Sequence, residues 1–371
     1  MLKFEIIHQS KKSRARVGRI HTPHGVIETP NFVPVATNAT IKAVDSTIMN
    51  QLNVQLMFCN TYHLLLHPGT EVIKHAGGLH NFMQRPAPII TDSGGFQVFS
   101  LAYGGVHEEL KSKGQKKQSS SIIKIDEEGI IFRSYRDGTP VHLTPESSIQ
   151  AQKAFGADII VPLDELPPYH TVPKALKKSF ERTHRWEKRS LEEHLKDSQQ
   201  QAMYAIIHGG VDPELRKKSC DILSNMPFDG FAIGGSLGKT KEEMALMLKG
   251  MMSYLPPEMP NHLLGIGDLP SLELCVPLGI DTFDSSYPTK CARHGLLLNF
   301  DGPIKIEQHR WHNNLQHISD APTTKEYSAA YLHHLFQAHE TVAHTLASIH
   351  NINFMMQLMA RYREMILRDE I

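Results

Sequence analysis

Cysteine, tryptophan and net charge are all scarce in this chain of 371 residues. The four cysteines, Cys59, Cys220, Cys275 and Cys291, stand far apart and form no CxxC. That excludes a disulfide framework and a cysteine-rich zinc motif, and points to a reducing compartment. The two tryptophans, Trp186 and Trp311, lie away from the predicted strand ends, where a sugar-binding barrel would place aromatic platforms. Lys plus Arg and Asp plus Glu each total 39, so a polyanionic partner must be met by a local basic patch. No apolar run approaches the ~20 residues that cross a bilayer. The opening MLKFEIIHQSKKSRARVGRI alternates apolar with charged residues and has no signal-peptide core, so a cytoplasmic location without a membrane partner is expected. No GxGxxG follows the first strand, and none of the 23 histidines falls in HExxH or at metal-ligand spacing.

What the chain does have is a recurring unit. Short apolar runs end in polar or glycine residues: VQLMFCNTYH (54–63), APIITDSGG (87–95), ADIIVPLDE (157–165), MYAIIHGG (203–210), GFAIGGS (230–236), HLLGIGD (262–268) and GIDTFDSS (279–286). Their unalternated cores fit strands buried on both faces. Helical patterns separate them over 147–156, 212–226, 239–255 and 269–279, with Asp212 as an N-cap, Pro213 in the first turn and Pro277 closing the last. Strand–helix alternation predicts an α/β protein, a (β/α)8 barrel in preference to a doubly wound sheet. Asn60, Asp92, Asp164, His208, Gly235 and Asp284 all end strands, and only a barrel gathers every such end at one mouth. Residues 1–300 are assigned to the barrel with N-terminal strands, and 301–371 to a C-terminal helical subdomain. Two further segments stand out: the polar stretch 104–121, read as a loop, and 171–190, with seven basic and two acidic residues.

TDSGGFQVFS (91–100) places Asp92 beside a Gly-Gly pair that lets backbone N–H groups approach a ligand. Such an aspartate is a general base or, equally, a helix cap. Asp284, again at a strand end, supplies a second carboxylate, and two carboxylates at one mouth are the minimum equipment for glycosyl transfer by double displacement. Asp164 offers acceptors to the N–H edge of a guanine-like base. His208 before Gly209-Gly210, and Gly234-Gly235 before Ser236, read as the floor and wall of a flat pocket or as ordinary strand–helix turns. A glycoside hydrolase and a non-catalytic RNA-binding protein remain alternatives at this point.

The strings TDSGGFQVFS, MFCNTYHL, IIHGGVDPELR, FAIGG, GIGDLPSL, GIDTFDSSYPTKCARHG, AYLHHL and SIHNINF resemble the queuine tRNA-ribosyltransferase (tRNA-guanine transglycosylase) family from about residue 10 to the C-terminus. The resemblance implies a TIM barrel, a homodimer, and exchange of the wobble guanine of GUN-anticodon tRNAs for a 7-substituted 7-deazaguanine. It implies Asp284 as nucleophile on ribose C1′ and Asp92 as proton acceptor. Ser93, Gly94, Gly95, Phe96, Asp164, His208 and Gly235 then line the base pocket, with Phe96 stacking on the base. The RNA-contacting segments are Gly265, Ile266, Gly267, Asp268, Leu269, Pro270 and Ser271, and Thr289, Lys290, Cys291, Ala292 and Arg293.

Three departures from the family pattern matter. Its IxQGG glutamine is His208. Its GGLxxGE loop is the shorter GGSLGKT, Gly234 to Thr240, in which Gly238 or Leu237 takes the position that closes the pocket in bacterial members; Gly238 there favours queuine over the aminomethyl precursor. Its CxCxxC zinc cysteines fall on Ser319, Ala321 and Thr324, leaving His350 as the one remaining ligand. No cofactor is therefore expected. Packing of Tyr327, Tyr331, Leu332 and Leu335 against the barrel is expected to replace the metal.

Overall fold

The computed structural model describes residues 2–103 and 121–371. The polar stretch read as a loop thus lies, but for Ser121, outside the described residues. Strands β1 (Lys3–Gln9), β2 (Arg16–Thr22) and β3 (Gly25–Thr29) form an antiparallel sheet. Next come β4 (Asn31–Ala36), β5 (Met57–Cys59) and β6 (Ile89–Thr91), then a second antiparallel sheet of β7 (Ile122–Ile125), β8 (Ile130–Arg133) and β9 (Pro140–Leu143). The chain continues through β10 (Ile159–Ile160), β11 (Ala202–Ile207), β12 (Gly230–Ile233), β13 (Asn261–Leu263) and β14 (Thr282–Ser285) to the short pair β15 (Leu296–Leu297) and β16 (Ile304–Lys305). Strands β4, β5, β6 and β10 to β14 close a parallel eight-stranded barrel.

Seven of those eight strands are the apolar runs read from the sequence. The eighth, β4, has the sequence NFVPVA, and Pro34 within it disguises a strand that pairs with both β14 and β5. The predicted helices form at Pro145–Phe155, Pro213–Leu223, Lys241–Met251 and Leu269–Cys275. Asp212 caps the second by accepting from the Glu214 and Leu215 N–H groups, and a 3-10 turn at Val276–Leu278 follows the fourth where Pro277 interrupts the ladder.

Val33, Phe58, Ile90, Ile159, Val161, Tyr204, Ile206 and Ala232 fill the lumen, and Ile20 and Ile27 from the N-terminal sheet pack into the same cluster. That end of the barrel is therefore stoppered, and the strand C-terminal ends gather at the opposite end. The stopper is clamped by Asp158, whose buried oxygens accept from His24 Nδ1 (2.8 Å), His80 Nε2 (3.1 Å), and the His24 and Ile89 backbone N–H groups. This is the one trio of metal-ligating side chains that converges among the described residues. Two backbone N–H groups already hold this carboxylate, and an ionised carboxylate only accepts, so each imidazole turns a proton to it and the trio forms a hydrogen-bonded clamp.

The last helix, Thr341–Leu367, lays Ile349, Ile352, Met355 and Met359 into the layer outside the barrel. A separate cluster of Leu297, Ile306, Leu332, Leu335, Phe336 and Leu346 holds the appended segment. Leu332 and Leu335, expected against the barrel, are buried in this separate cluster instead. Tyr327 and Tyr331 are not: they stack on each other at 5.2 Å with 41% and 43% of their surface exposed, because the helix Ala329–Gln337 turns that side to solvent.

Candidate active site

All six strand-end residues converge at the open mouth. Asp92, one residue beyond β6, is buried and held by both carboxylate oxygens. Oδ1 accepts from the Thr61 N–H (2.7 Å), and Oδ2 from Asn60 Nδ2 (2.6 Å) and Gln97 Nε2 (2.9 Å). Burial pushes its pKa up to about 6; the Asn60, Thr61 and Gln97 donors oppose the rise, and the charge of Asp284 adds to it.

Asp284, in β14, is held differently. Oδ1 alone is engaged, by the Gly265 N–H at 2.7 Å and by His262 Nε2 at 3.0 Å. Oδ2 has no hydrogen-bond partner among the described residues. The Asp284 carboxylate is thus pinned by one oxygen and presents the other.

The residues assigned to the base pocket are linked to one another beside Asp92. Ser93 Oγ donates to Asp164 Oδ1 (3.2 Å) and accepts from the Gly95 N–H (3.2 Å). Asp164 Oδ2 sits 3.2 Å from His208 Nε2, within ion-pair reach but out of hydrogen-bond alignment, and that buried nitrogen has no hydrogen-bond partner among the described residues. Gly94 makes the turn into the helix Gly95–Tyr103, and Phe96 on its first turn is 47% exposed. Gly235 stands next to His208: a β-carbon on it would lie 3.4 Å from His208 Nδ1. Arg216, wholly buried, ties these two loops together through the carbonyls of Ile207 (2.7 Å), Gly210 (2.7 Å) and Ser236 (3.2 Å).

His262, Gln97 and Arg216 escaped the sequence reading. A histidine inside an otherwise apolar strand run was the signal for the first. In β13 it pairs with Thr282 of β14, which aims its ring at Asp284 two residues on.

The RNA-contact segments divide by exposure. Gly265 and Pro270 are exposed and Ile266 is half-buried, whereas Gly267 is buried against the barrel. Asp268 caps the helix Leu269–Cys275 through Ser271 and pairs with Lys241; Ser271 is buried and Leu269 packs against the core. In the helix Tyr287–Arg293, Thr289, Cys291 and Ala292 are buried while Lys290 and Arg293 face solvent. The basic stretch is one face of the helix Pro173–Leu195, and most of its charge is spent. Arg182 pairs with Glu165 (3.0 Å), Arg185 with Glu127 (2.7 Å) and Arg189 with Glu146 (2.7 Å), which fastens the β7–β8 hairpin to the barrel. Lys174, Lys177 and Lys178 remain exposed.

The four positions that match the family's zinc ligands do come together. Ser319 and Thr324 share a hydroxyl–hydroxyl hydrogen bond of 2.5 Å, Ala321 is fully buried, and His350 lines the same small cavity. His350 Nε2 donates to the Leu298 carbonyl at 2.8 Å, leaving Nδ1 as the one nitrogen without a partner. Two hydroxyls, a methyl group and one imidazole do not fit zinc, which takes thiolate, imidazole or carboxylate.

Comparison with known proteins agrees with this geometry. A family model described as queuine tRNA-ribosyltransferase matches residues 10–371. A queuine tRNA-ribosyltransferase of Protochlamydia amoebophila is 63% identical over 372 positions, covering all of this chain and 96% of that protein. The proteins of the same name from Chlamydia caviae and Chlamydia trachomatis serovar A are 58% and 54% identical, with full coverage of both chains. With its closed barrel, its paired carboxylates and a match that runs nearly end to end, the chain belongs to the queuine tRNA-ribosyltransferase family, the tRNA-guanine transglycosylases.

Proposed function

We propose that this protein exchanges the wobble guanine of GUN-anticodon tRNAs for a 7-substituted 7-deazaguanine through a covalent Asp284–ribose intermediate. The observation that carries the reading is the asymmetry of the two carboxylates: Asp284 offers an unengaged oxygen, and Asp92 is fully engaged with its pKa raised to about 6. The first is a nucleophile's posture and the second a proton acceptor's.

The chemistry runs in two halves. Asp284 Oδ2 attacks ribose C1′, the C1′–N9 bond breaks, and guanine leaves with the electron pair and takes a proton from water. The incoming base gives its N9 proton to Asp92. Its N9 then attacks C1′, and Asp284 departs with the electrons of the ester bond; Asp92 returns its proton to solvent. Two attacks on one carbon retain its configuration.

Ser93, Asp164, His208 and Gly235 would read the base. Asp164 Oδ2 can accept from the N–H edge of the base, and the unpartnered His208 Nε2 can reach its oxo group. Gly94 and Gly95 admit the ring to the backbone, and Phe96 covers it.

Queuine is the incoming base we favour. In the loop 234–240, Leu237 packs into the layer outside the barrel, and a β-carbon on Gly238 would meet Glu243 and the Met244 nitrogen at 3.1 Å. Gly238 therefore lets the loop close on the helix Lys241–Met251, and on either alignment no branched side chain from this loop walls the pocket. Lys290 and Arg293, with the exposed lysines 174, 177 and 178, supply the cationic surface for the anticodon arm.

The protein would act in the cytoplasm as a homodimer, which light scattering tests. No helix among the described residues is long and apolar enough to cross a membrane. Incorporation of radiolabelled guanine into transcribed GUN tRNA, followed by chase with queuine or the aminomethyl base, tests activity and preference together. A glycoside hydrolase or a non-catalytic RNA-binding subunit would incorporate no label.

A further inference from the structure

We propose that His262 is the positioning residue that governs how readily Asp284 leaves the ribose in the second half of the exchange. The inference rests on the reading of Asp284 as nucleophile. His262 lies in β13 with none of its surface exposed. Its Nε2 is 3.0 Å from Asp284 Oδ1, its Nδ1 is 2.8 Å from Thr282 Oγ1, and the Phe58 ring stacks beside it at 5.9 Å. An ionised carboxylate only accepts, so His262 Nε2 carries the proton that faces it. The Thr282 hydroxyl lies 2.8 Å from Nδ1 and 3.3 Å from the Asn261 carbonyl, so its single proton goes to the nearer acceptor, which makes Nδ1 the accepting nitrogen and favours that tautomer.

The consequence follows from which oxygen is held. When Oδ2 bonds to C1′, Oδ1 becomes the carbonyl oxygen of an ester and loses most of its charge. The N–H groups of His262 and Gly265 then meet a weak acceptor. When the incoming N9 displaces Asp284, the electron pair of the Oδ2–C1′ bond returns to the carboxylate and spreads onto Oδ1, where both donors are waiting. They stabilise the departing carboxylate more than the ester. Without the His262 donor, Asp284 is a more basic carboxylate: it still attacks, but it is slow to leave. Loss of this residue should therefore lengthen the life of the intermediate, whereas a merely structural defect would lower intermediate and product together.

The experiment compares wild type with His262→Phe, His262→Gln and Thr282→Val. His262→Phe keeps a flat ring beside Phe58 without a donor. His262→Gln keeps an N–H at similar reach. Thr282→Val removes the hydroxyl that sets the tautomer. Each is mixed with GUN tRNA, the protein–RNA adduct is measured on denaturing gels, and its decay is followed after excess base is added. The expected result is a larger adduct fraction and a decay about ten- to hundredfold slower in His262→Phe, the range for removal of one hydrogen bond to a charged group. His262→Gln should decay near the wild-type rate, and Thr282→Val in between. If His262→Phe does not fold, Thr282→Val decides in the same direction. Wild-type decay in the donor-less variants, or adduct and exchange falling in parallel, would overturn the inference. A wild-type protein that forms neither adduct nor exchange product would overturn the reading of Asp284 itself, and is told apart because wild type then fails first.

Discussion

Gly95 and Asp164 approach so closely that a β-carbon on the glycine would lie 2.6 Å from the Asp164 carbonyl oxygen and 2.9 Å from its Oδ1. The DSGG turn and the strand end proposed to read the base are thereby one unit, with Ser93 Oγ bridging them. Gly95→Ala should displace Asp164, the group proposed to bind the base edge. Overpacking of this kind costs ~1–3 kcal/mol. The expected outcome is a KM for the free base raised about tenfold or more, with tRNA binding by filter assay little changed.

The Asp92 carboxyl makes a prediction with a definite sign. Its folded pKa, about 6, lies above that of an unfolded aspartate, so the folded state holds the proton longer as pH rises. Stability from this group falls between the usual carboxylate range and pH 6, and the cost is complete above it, about 3 kcal/mol at ~1.4 kcal/mol per pH unit. Asp92→Asn should therefore melt at a higher temperature than wild type at pH 7.5, with the difference gone near pH 4. Flipping of the Asn60 and Gln97 amides would accommodate the new group, and Gln97 Oε1 has no partner at present. The same variant should lose about 10²–10⁴-fold in exchange while still forming adduct. Wild-type exchange should fall as pH drops through 6, when Asp92 can no longer accept a proton.

Charge reversal separates RNA binding from scaffold. Arg293→Glu and Lys290→Glu should weaken tRNA binding and flatten the slope of log affinity against log salt by about 0.7–0.9 for each phosphate left without its cation. Arg189→Glu should instead leave that slope in place and lower the melting temperature. Arg189 is committed to Glu146 and to the carbonyls of Glu127 and Glu128.

The C-terminal segment should be indifferent to chelators. Ser319, Thr324 and the Ala321 carbonyl close the loop by hydrogen bonds, and Asp320 anchors it to the last helix through Asn353 (2.9 Å) and Gln357 (2.6 Å). Structural zinc normally supplies a large share of a small domain's folding free energy. Elemental analysis of purified protein should give no stoichiometric zinc, and chelator treatment should leave the melting temperature unchanged. Near-equimolar zinc would contradict the assignment.

The sequence made the barrel legible because parallel strands buried on both faces write themselves as short apolar runs, and because strand ends in a barrel share one mouth. Asp92, Asp164, His208 and Asp284 were readable for that reason. What was not readable is what depends on register between strands far apart in the chain. His262 faces Asp284 only because β13 pairs with β14 so that His262 meets Thr282. Pro34 hid β4 because a missing N–H usually excludes proline from an interior strand. A composition window over 171–190 shows the arginines of Pro173–Leu195 but not the carboxylates of Glu127, Glu146 and Glu165 that reach them across the fold.

The central claim, transfer through an Asp284–ribose ester, is tested most directly by trapping. Wild-type protein is mixed with GUN tRNA without added base, denatured, digested with protease and ribonuclease, and analysed by mass spectrometry. The account predicts one nucleotide-bearing peptide, with the modification on Asp284, absent from Asp284→Asn. A modification on Asp92, or guanine exchange that survives in Asp284→Asn, would contradict it.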